Sequence, residues 1–193
     1  MSENELVLKA KNGDISAFET LYDKYSGKVY GYALRMTENT EDALDLAQEV
    51  FIRVYKSLAF FKGDSSFSTW LYSIASNVCI DFNRSKNRKK TAPLDEALSI
   101  PDLKTPENEF EKKEFTQAIA DAISSLPFDM REVIVLREIN GLSYIEIADA
   151  LDLEVGTVKS RISRGREKLC SILKDYGNKK KSFPSKDVKG GQK

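Results

Sequence analysis

Residues 140–169, NGLSYIEIADALDLEVGTVKSRISRGREKL, hold two helical patterns separated by a turn. Gly141 closes one helix, and Ser143 with Glu146 has the spacing of a capping box that opens the next. That helix is short, and small Ala148 lets a partner helix approach closely. A turn from Asp152 to Val155 leads into a further helix starting at Gly156 or Thr157, which is the layout of a helix-turn-helix. With Val158 at zero and about 100° per residue, Ile162, Gly165 and Leu169 fall within about 40° of it and predict the buried face. Ser160, Ser163 and Arg164 point the other way, flanked by Lys159 and Arg161, with Thr157 at the helix start. Arg and Lys reach the acceptor edges of guanine in the major groove, Ser bonds to several bases, and all can hold phosphates. Two blander readings stand beside this: a solvated helix with ordinary surface charges, and a helix-turn-helix that touches only protein.

Working outward, the 193 residues contain no histidine and only two cysteines, Cys79 and Cys170. The commonest general base is missing and soft ligands are too few for a zinc site, so neither catalysis nor a metal or other cofactor is expected. The cysteines lie in different halves without framework spacing and read as partly buried free thiols in a reducing compartment. The start, MSENELVLKAKNG, lacks a basic region followed by an apolar core, and no apolar run approaches membrane-spanning length; a cytoplasmic protein is expected.

Net charge is zero, yet the charges are segregated. Glu38, Glu41, Asp42, Asp45 and Glu49 form an acidic stretch without Lys or Arg; Arg84, Lys86, Arg88, Lys89 and Lys90 form a basic one, and Lys159 to Lys168 another. Two basic surfaces are thus hidden in a zero sum. Three of the five prolines (Pro93, Pro101, Pro106) fall in one acidic, aperiodic stretch, residues 91–106, which predicts a flexible linker between two domains. The expected fold class is all-α: two small helical domains, 5–90 and 107–176, the C-terminal one a winged-helix-like helix-turn-helix. A basic, disordered tail, 177–193, follows.

In the N-terminal domain, helices are predicted over 5–12, 14–36 with Asp14 as N-cap, 40–57 entered through Asn39 or Thr40, and from Phe67 to Arg88. The 40–57 helix buries Ala43, Ala47, Val50 and Val54 and carries Asp45, Gln48, Glu49 and Ile52 on its far side. An acidic face with one stray apolar residue suits protein docking, and equally a solvated surface. On the Phe67–Arg88 helix a stripe of Trp70, Ser73, Asn77, Arg84 and Arg88 runs from an aromatic, through hydrogen-bonding groups, to cations. That succession suits a strand of unpaired nucleic acid, although by periodicity Trp70 reads first as a core aromatic. The loop before it, Lys62, Gly63, Asp64, Ser65, Ser66 and Phe67, reads as a pocket rim or as a plain connection.

Four stretches in order, EDALDLAQEVFIRVY, FKGDSSFSTWLYSIASNVCIDFNR, SLPFDMREVIVLRE and GLSYIEIADALDLEVGTVKSRISRGREKL, resemble the extracytoplasmic-function (ECF) sigma factors of the sigma-70 family, of the sigma-E and sigma-W kind. The resemblance spans about residues 5 to 174. It implies that Asp45, Gln48, Glu49 and Ile52 dock on core RNA polymerase, whose clamp and flap regions are the expected contacts. It implies further that the Lys62–Phe67 loop and the Asn77 helix take a flipped base and adjoining strand of the minus 10 element. Thr157, Lys159, Ser160, Arg161, Ser163 and Arg164 would read the minus 35 element as duplex. Promoter DNA and an anti-sigma factor are the remaining partners implied, with no small-molecule substrate. Lys159 and Ser163 depart from the Arg and ring-bearing side chain of many relatives, so the upstream sequence preferred cannot be copied from them. A stand-alone helix-turn-helix regulator is the competing reading, but it has no need of the Asp45, Gln48, Glu49 face.

Overall fold

Side-chain caps fix where the helices start. Ser2 and Glu5 form a reciprocal capping box that opens α1 (Glu3–Lys11), Asp14 accepts from the Ala17 amide at the start of α2 (Ile15–Thr37), and Asn39 accepts from the Asp42 amide at the start of α3 (Thr40–Ser57). In this computed structural model the chain is described over residues 2–89 and 107–182, with side chains over 2–86 and 116–174. The linker 91–106, the tail from 183 and the Arg88 side chain lie outside the described residues.

After a 3₁₀ turn, Leu58–Phe60, and the loop that follows it, α4 (Phe67–Lys89) completes the first bundle. Its core is built from Leu21, Val29 and Tyr32 of α2, Val50 and Val54 of α3, and Leu71 and Ala75 of α4, all essentially without exposure. The second bundle comprises α5 (Glu107–Ser124), α6 (Phe128–Ile134), a π-turn over Val135–Ile139, α7 (Tyr144–Leu151) and α8 (Val155–Ser182). No strand occurs among the described residues, so the helix-turn-helix carries no wing, contrary to expectation. The last helix also continues to Ser182, past residue 176 where the sequence predicts disorder.

The α7–turn–α8 unit forms as its residues predict. Ser143 and Glu146 exchange hydrogen bonds of 2.8 and 3.2 Å in a capping box, and α7 ends on Asp152 in the left-handed region (φ 52°). Val158 and Ile162 are buried, and Gly165 lies so close to α6 that a Cβ there would sit 2.8 Å from Ile134 Cγ1. Glycine is what lets α8 approach α6.

The two bundles pack directly on each other, an arrangement that the expectation of a flexibly linked pair did not include. Hydrogen bonds run from Ser76 and Tyr32 of the first bundle to Glu132 of the second, and from Asn140 to Tyr72.

Candidate nucleic-acid and polymerase interface

Three surfaces gather the residues singled out in the sequence. On α8, Lys159, Ser160, Ser163 and Arg164 are exposed, opposite the buried Val158, Ile162 and Gly165. Thr157 is half-buried, and its carbonyl accepts from the Ser160 hydroxyl at 2.9 Å. Ser163 reaches Glu167 at 3.3 Å. Arg161 differs from its neighbours: it is half-buried and paired with Asp129 of α6 at 3.2 Å, so it is not presented outward as expected.

The surface on α4 rests on an aromatic cluster. Phe61 and Trp70 stack at 4.9 Å between centroids, and Phe67 lies 5.9 Å from Trp70 and 5.5 Å from Tyr25. Trp70 is half-buried, so it supports the core and still offers part of its ring. Phe67, expected in the loop surface, is only 3% exposed and serves as a buried prop. Ser66 caps α4 by accepting from the Thr69 amide at 3.1 Å. Lys62, Gly63 and Asp64 are exposed, Ser65 half-buried, and Gly63 takes φ 83°, open to glycine and strained for other residues. Lys11 of α1 donates to the Phe61 carbonyl at 2.7 Å, tying the start of the loop to α1. Farther along α4, Ser73 is half-buried, and Asn77 and Arg84 are exposed. Phe60 escaped the sequence reading: in the Phe60–Phe61 pair one ring goes in, and the other stands 80% exposed beside the loop.

On α3, Asp45 and Gln48 are exposed, and Ile52 is 47% exposed. Glu49 is tied to Arg53 at 2.7 Å, one turn on, and Arg53 also approaches Asp81 of α4 at 3.7 Å. Leu44 and Tyr55 are exposed as well and were missed. The signal was present: positions 44, 48, 52 and 55 follow helical spacing, and the apolar ones make Ile52 part of a stripe. Tyr55 packs edge-on against Phe18 at 5.0 Å, and Tyr22 likewise against Phe51 at 4.7 Å, which stiffens this face.

The cysteines are both free. Cys79 is buried, and burial with help from nearby Glu132 pushes its thiol up to about 12; Cys170 is exposed, contrary to expectation. Among the described residues no group of His, Cys, Asp or Glu could hold a metal ion, and no helix is long and apolar enough to cross a membrane.

Comparison with known proteins gives these surfaces a family. The Sigma-70 region 2 family matches residues 21–89, and Sigma-70, region 4 matches residues 116–169. The chain is 38% identical to the ECF RNA polymerase sigma-E factor of Haemophilus influenzae over 176 residues, covering 86% of this chain and 93% of that protein. The chain belongs to the ECF sigma factors of the sigma-70 family. It is also 39% identical to the ECF RNA polymerase sigma factor SigW of Bacillus subtilis, covering 88% of this chain and 95% of the relative. Among solved structures, CnrH in complex with the cytosolic domain of CnrY matches with a TM-score of 0.68 at 26% identity, over 90% of this chain and 97% of that one. As a sigma factor this protein is a non-enzymatic initiation factor that directs RNA polymerase to promoters. The α1–α4 bundle contains the region 2 match and the α5–α8 bundle the region 4 match.

Proposed function

We propose that this sigma factor divides promoter work between its bundles. Residues 5–90 bind polymerase and capture the melted minus 10 strand, 107–176 read the minus 35 duplex, 91–106 connect them, and 177–193 add non-specific attraction to DNA. Asp45, Gln48, Glu49 and Ile52, with Leu44 and Tyr55 beside them, dock on the polymerase clamp. The exposed apolar side chains supply buried area, and the acids supply register. The loop from Lys62 to Ser66, with Trp70, Asn77 and Arg84, takes the unpaired strand. Stacking recovers roughly 1–3 kcal/mol per base, comparable with the cost of extruding it. Lys159, Ser160, Ser163 and Arg164 read the duplex.

The observation that carries this reading is the two-sidedness of α8, with a polar, cationic face exposed directly opposite a seam of buried Val158, Ile162 and Gly165. The protein acts in the cytoplasm, where polymerase is. A structure of the same fold, the sigma factor RpoE of Bartonella quintana, is solved in complex with the anti-sigma factor NepR, which supports control of this chain by an anti-sigma factor. Run-off transcription with purified core polymerase tests the reading: start-site-specific product is expected, and promoter binding without polymerase association overturns it. Replacing Asp45 and Glu49 together by Ala should weaken polymerase binding while leaving the circular-dichroism spectrum unchanged; unaltered affinity removes α3 as the docking face.

A further inference from the structure

Phe60 is the most exposed large apolar side chain among the described residues, at 80% against 64% for Ile15 and Ile145, which come next. The backbone that carries it is held on both sides. In the 3₁₀ turn Leu58–Phe60 the Phe61 amide donates to the Leu58 carbonyl at 3.1 Å. Side chains three apart eclipse in such a turn, so Leu58 and Phe61 share the inward side while Ala59 and Phe60 are turned out. Leu58 is buried, and Phe61 packs against Trp70 at 4.9 Å and Phe67 at 6.2 Å. The Phe61 carbonyl accepts in turn from Lys11 Nζ at 2.7 Å. Two inward anchors and a tie to α1 thus hold an aromatic residue out in solvent, where its ring stacks on no other among the described residues.

The setting of this ring is cationic. Lys56 near the end of α3 and Lys62 in the loop flank it in sequence, and both are exposed. Neither is ion-paired among the described residues. Asp64, four positions on, is the acid nearest in sequence. The docking face of α3 is different, since its apolar side chains stand beside Asp45 and Glu49. An exposed ring between cations suits a polyanion whose units have flat faces, and single-stranded nucleic acid has that chemistry.

We infer that Phe60 is a second stacking platform for the melted strand: its ring takes the face of an unpaired base beside the one received by the Lys62–Ser66 loop, and Lys56 and Lys62 hold the adjoining phosphates. The inference rests on the reading that this loop and α4 take the unpaired strand. Phe60 and Lys62 are two residues apart, at most about 7 Å between Cα atoms, which is within reach of neighbouring nucleotides. A turn that is already fixed loses little freedom when a base settles on it. A base inside a duplex has both faces covered by its neighbours, so the platform is open only to a strand already separated. Stacking accepts any base, and Phe60 therefore sets how firmly the open strand is held, not which sequence is read.

Holoenzyme assembled from the full chain and core polymerase tests the platform on two probes made from a promoter that yields run-off product. One is a fork whose minus 10 strand is unpaired, and the other is the paired duplex kept closed by low temperature. Stacking is worth roughly 1–3 kcal/mol per base, so Phe60→Ala should weaken fork binding about five- to a hundredfold. Duplex binding and the melting temperature of the free chain should not change. Phe60→Trp should bind the fork at least as tightly as wild type, whereas Phe60→Leu, apolar but without an aromatic face, should lose nearly as much as Phe60→Ala. Abasic substitution along the unpaired strand locates the base. At one position it should weaken wild type by the same factor and leave Phe60→Ala no weaker than before, the non-additivity of a direct contact.

Losses that add at every position, or Phe60→Leu binding like wild type, overturn the platform. So does a Phe60→Ala chain that assembles poorly with core polymerase but, once assembled, binds the fork normally, because the ring then meets protein. Asn77→Ala separates the two failures. If neither it nor Phe60→Ala weakens fork binding, the single-strand reading of α4 falls and the platform with it; if Asn77→Ala alone weakens it, only the platform falls.

Discussion

The helices α4 and α8 both offer a polar stripe to nucleic acid, but they hold it in different ways. On α8 the exposed Lys159, Ser160, Ser163 and Arg164 stand clear of the core, which lies on the opposite side. On α4 the stripe begins with Trp70, half-buried and packed between Phe61 and Phe67. A duplex presents a preformed groove, and a straight helix with free side chains can enter it. An unpaired base has to be captured by a rigid apolar platform, and rigidity comes from packing. Recognition and stability are therefore separable on α8 and coupled on α4.

The sharpest way to break this contrast is Trp70→Ala. Loss of a half-buried ring should cost about 3 kcal/mol of stability in the first bundle, together with single-strand binding, as read by thermal melting and by titration with an unpaired minus 10 oligonucleotide. An unchanged melting temperature makes Trp70 a surface residue and ends the coupling. Next is Gly165→Ala, which drives a methyl group against Ile134 and should cost about 1–3 kcal/mol in the second bundle. If melting is unaffected, α8 moves more freely over α6 than the 2.8 Å approach allows.

Arg164→Ala supplies the complementary case. The melting curve should be unchanged, with about 1–3 kcal/mol lost at one base position of the upstream element in a base-preference assay. A uniform loss over all sequences assigns Arg164 to phosphate. The smallest effect is Asp152→Gly. It relieves a left-handed conformation at the turn between α7 and α8 and should stabilise the second bundle by up to about 1 kcal/mol without altering base preference. A change in preference there shows that the turn itself sets the angle of the reading helix.

Much of the α8 surface was legible in the sequence, because a helix that is buried on one side writes its periodicity into the chain. Val158, Ile162 and Gly165 lie on the predicted face, and the Ser143–Glu146 capping box forms as spaced. Arg161 was not legible, since its pairing with Asp129 joins residues 32 positions apart on separate helices. Nor was the division of labour between Phe60 and Phe61, which adjacent identical residues cannot signal.

By itself the sequence determined the helical segments, their caps, the helix-turn-helix and the family, because helix periodicity, capping and motif order are local properties. Only the tertiary structure decided that the two bundles close on Glu132. In a chain rich in exposed acids a glutamate reads as surface, and it becomes a buried hydrogen-bond acceptor only where Tyr32, 100 residues away, and Ser76, 56 residues away, bring their hydroxyls to it.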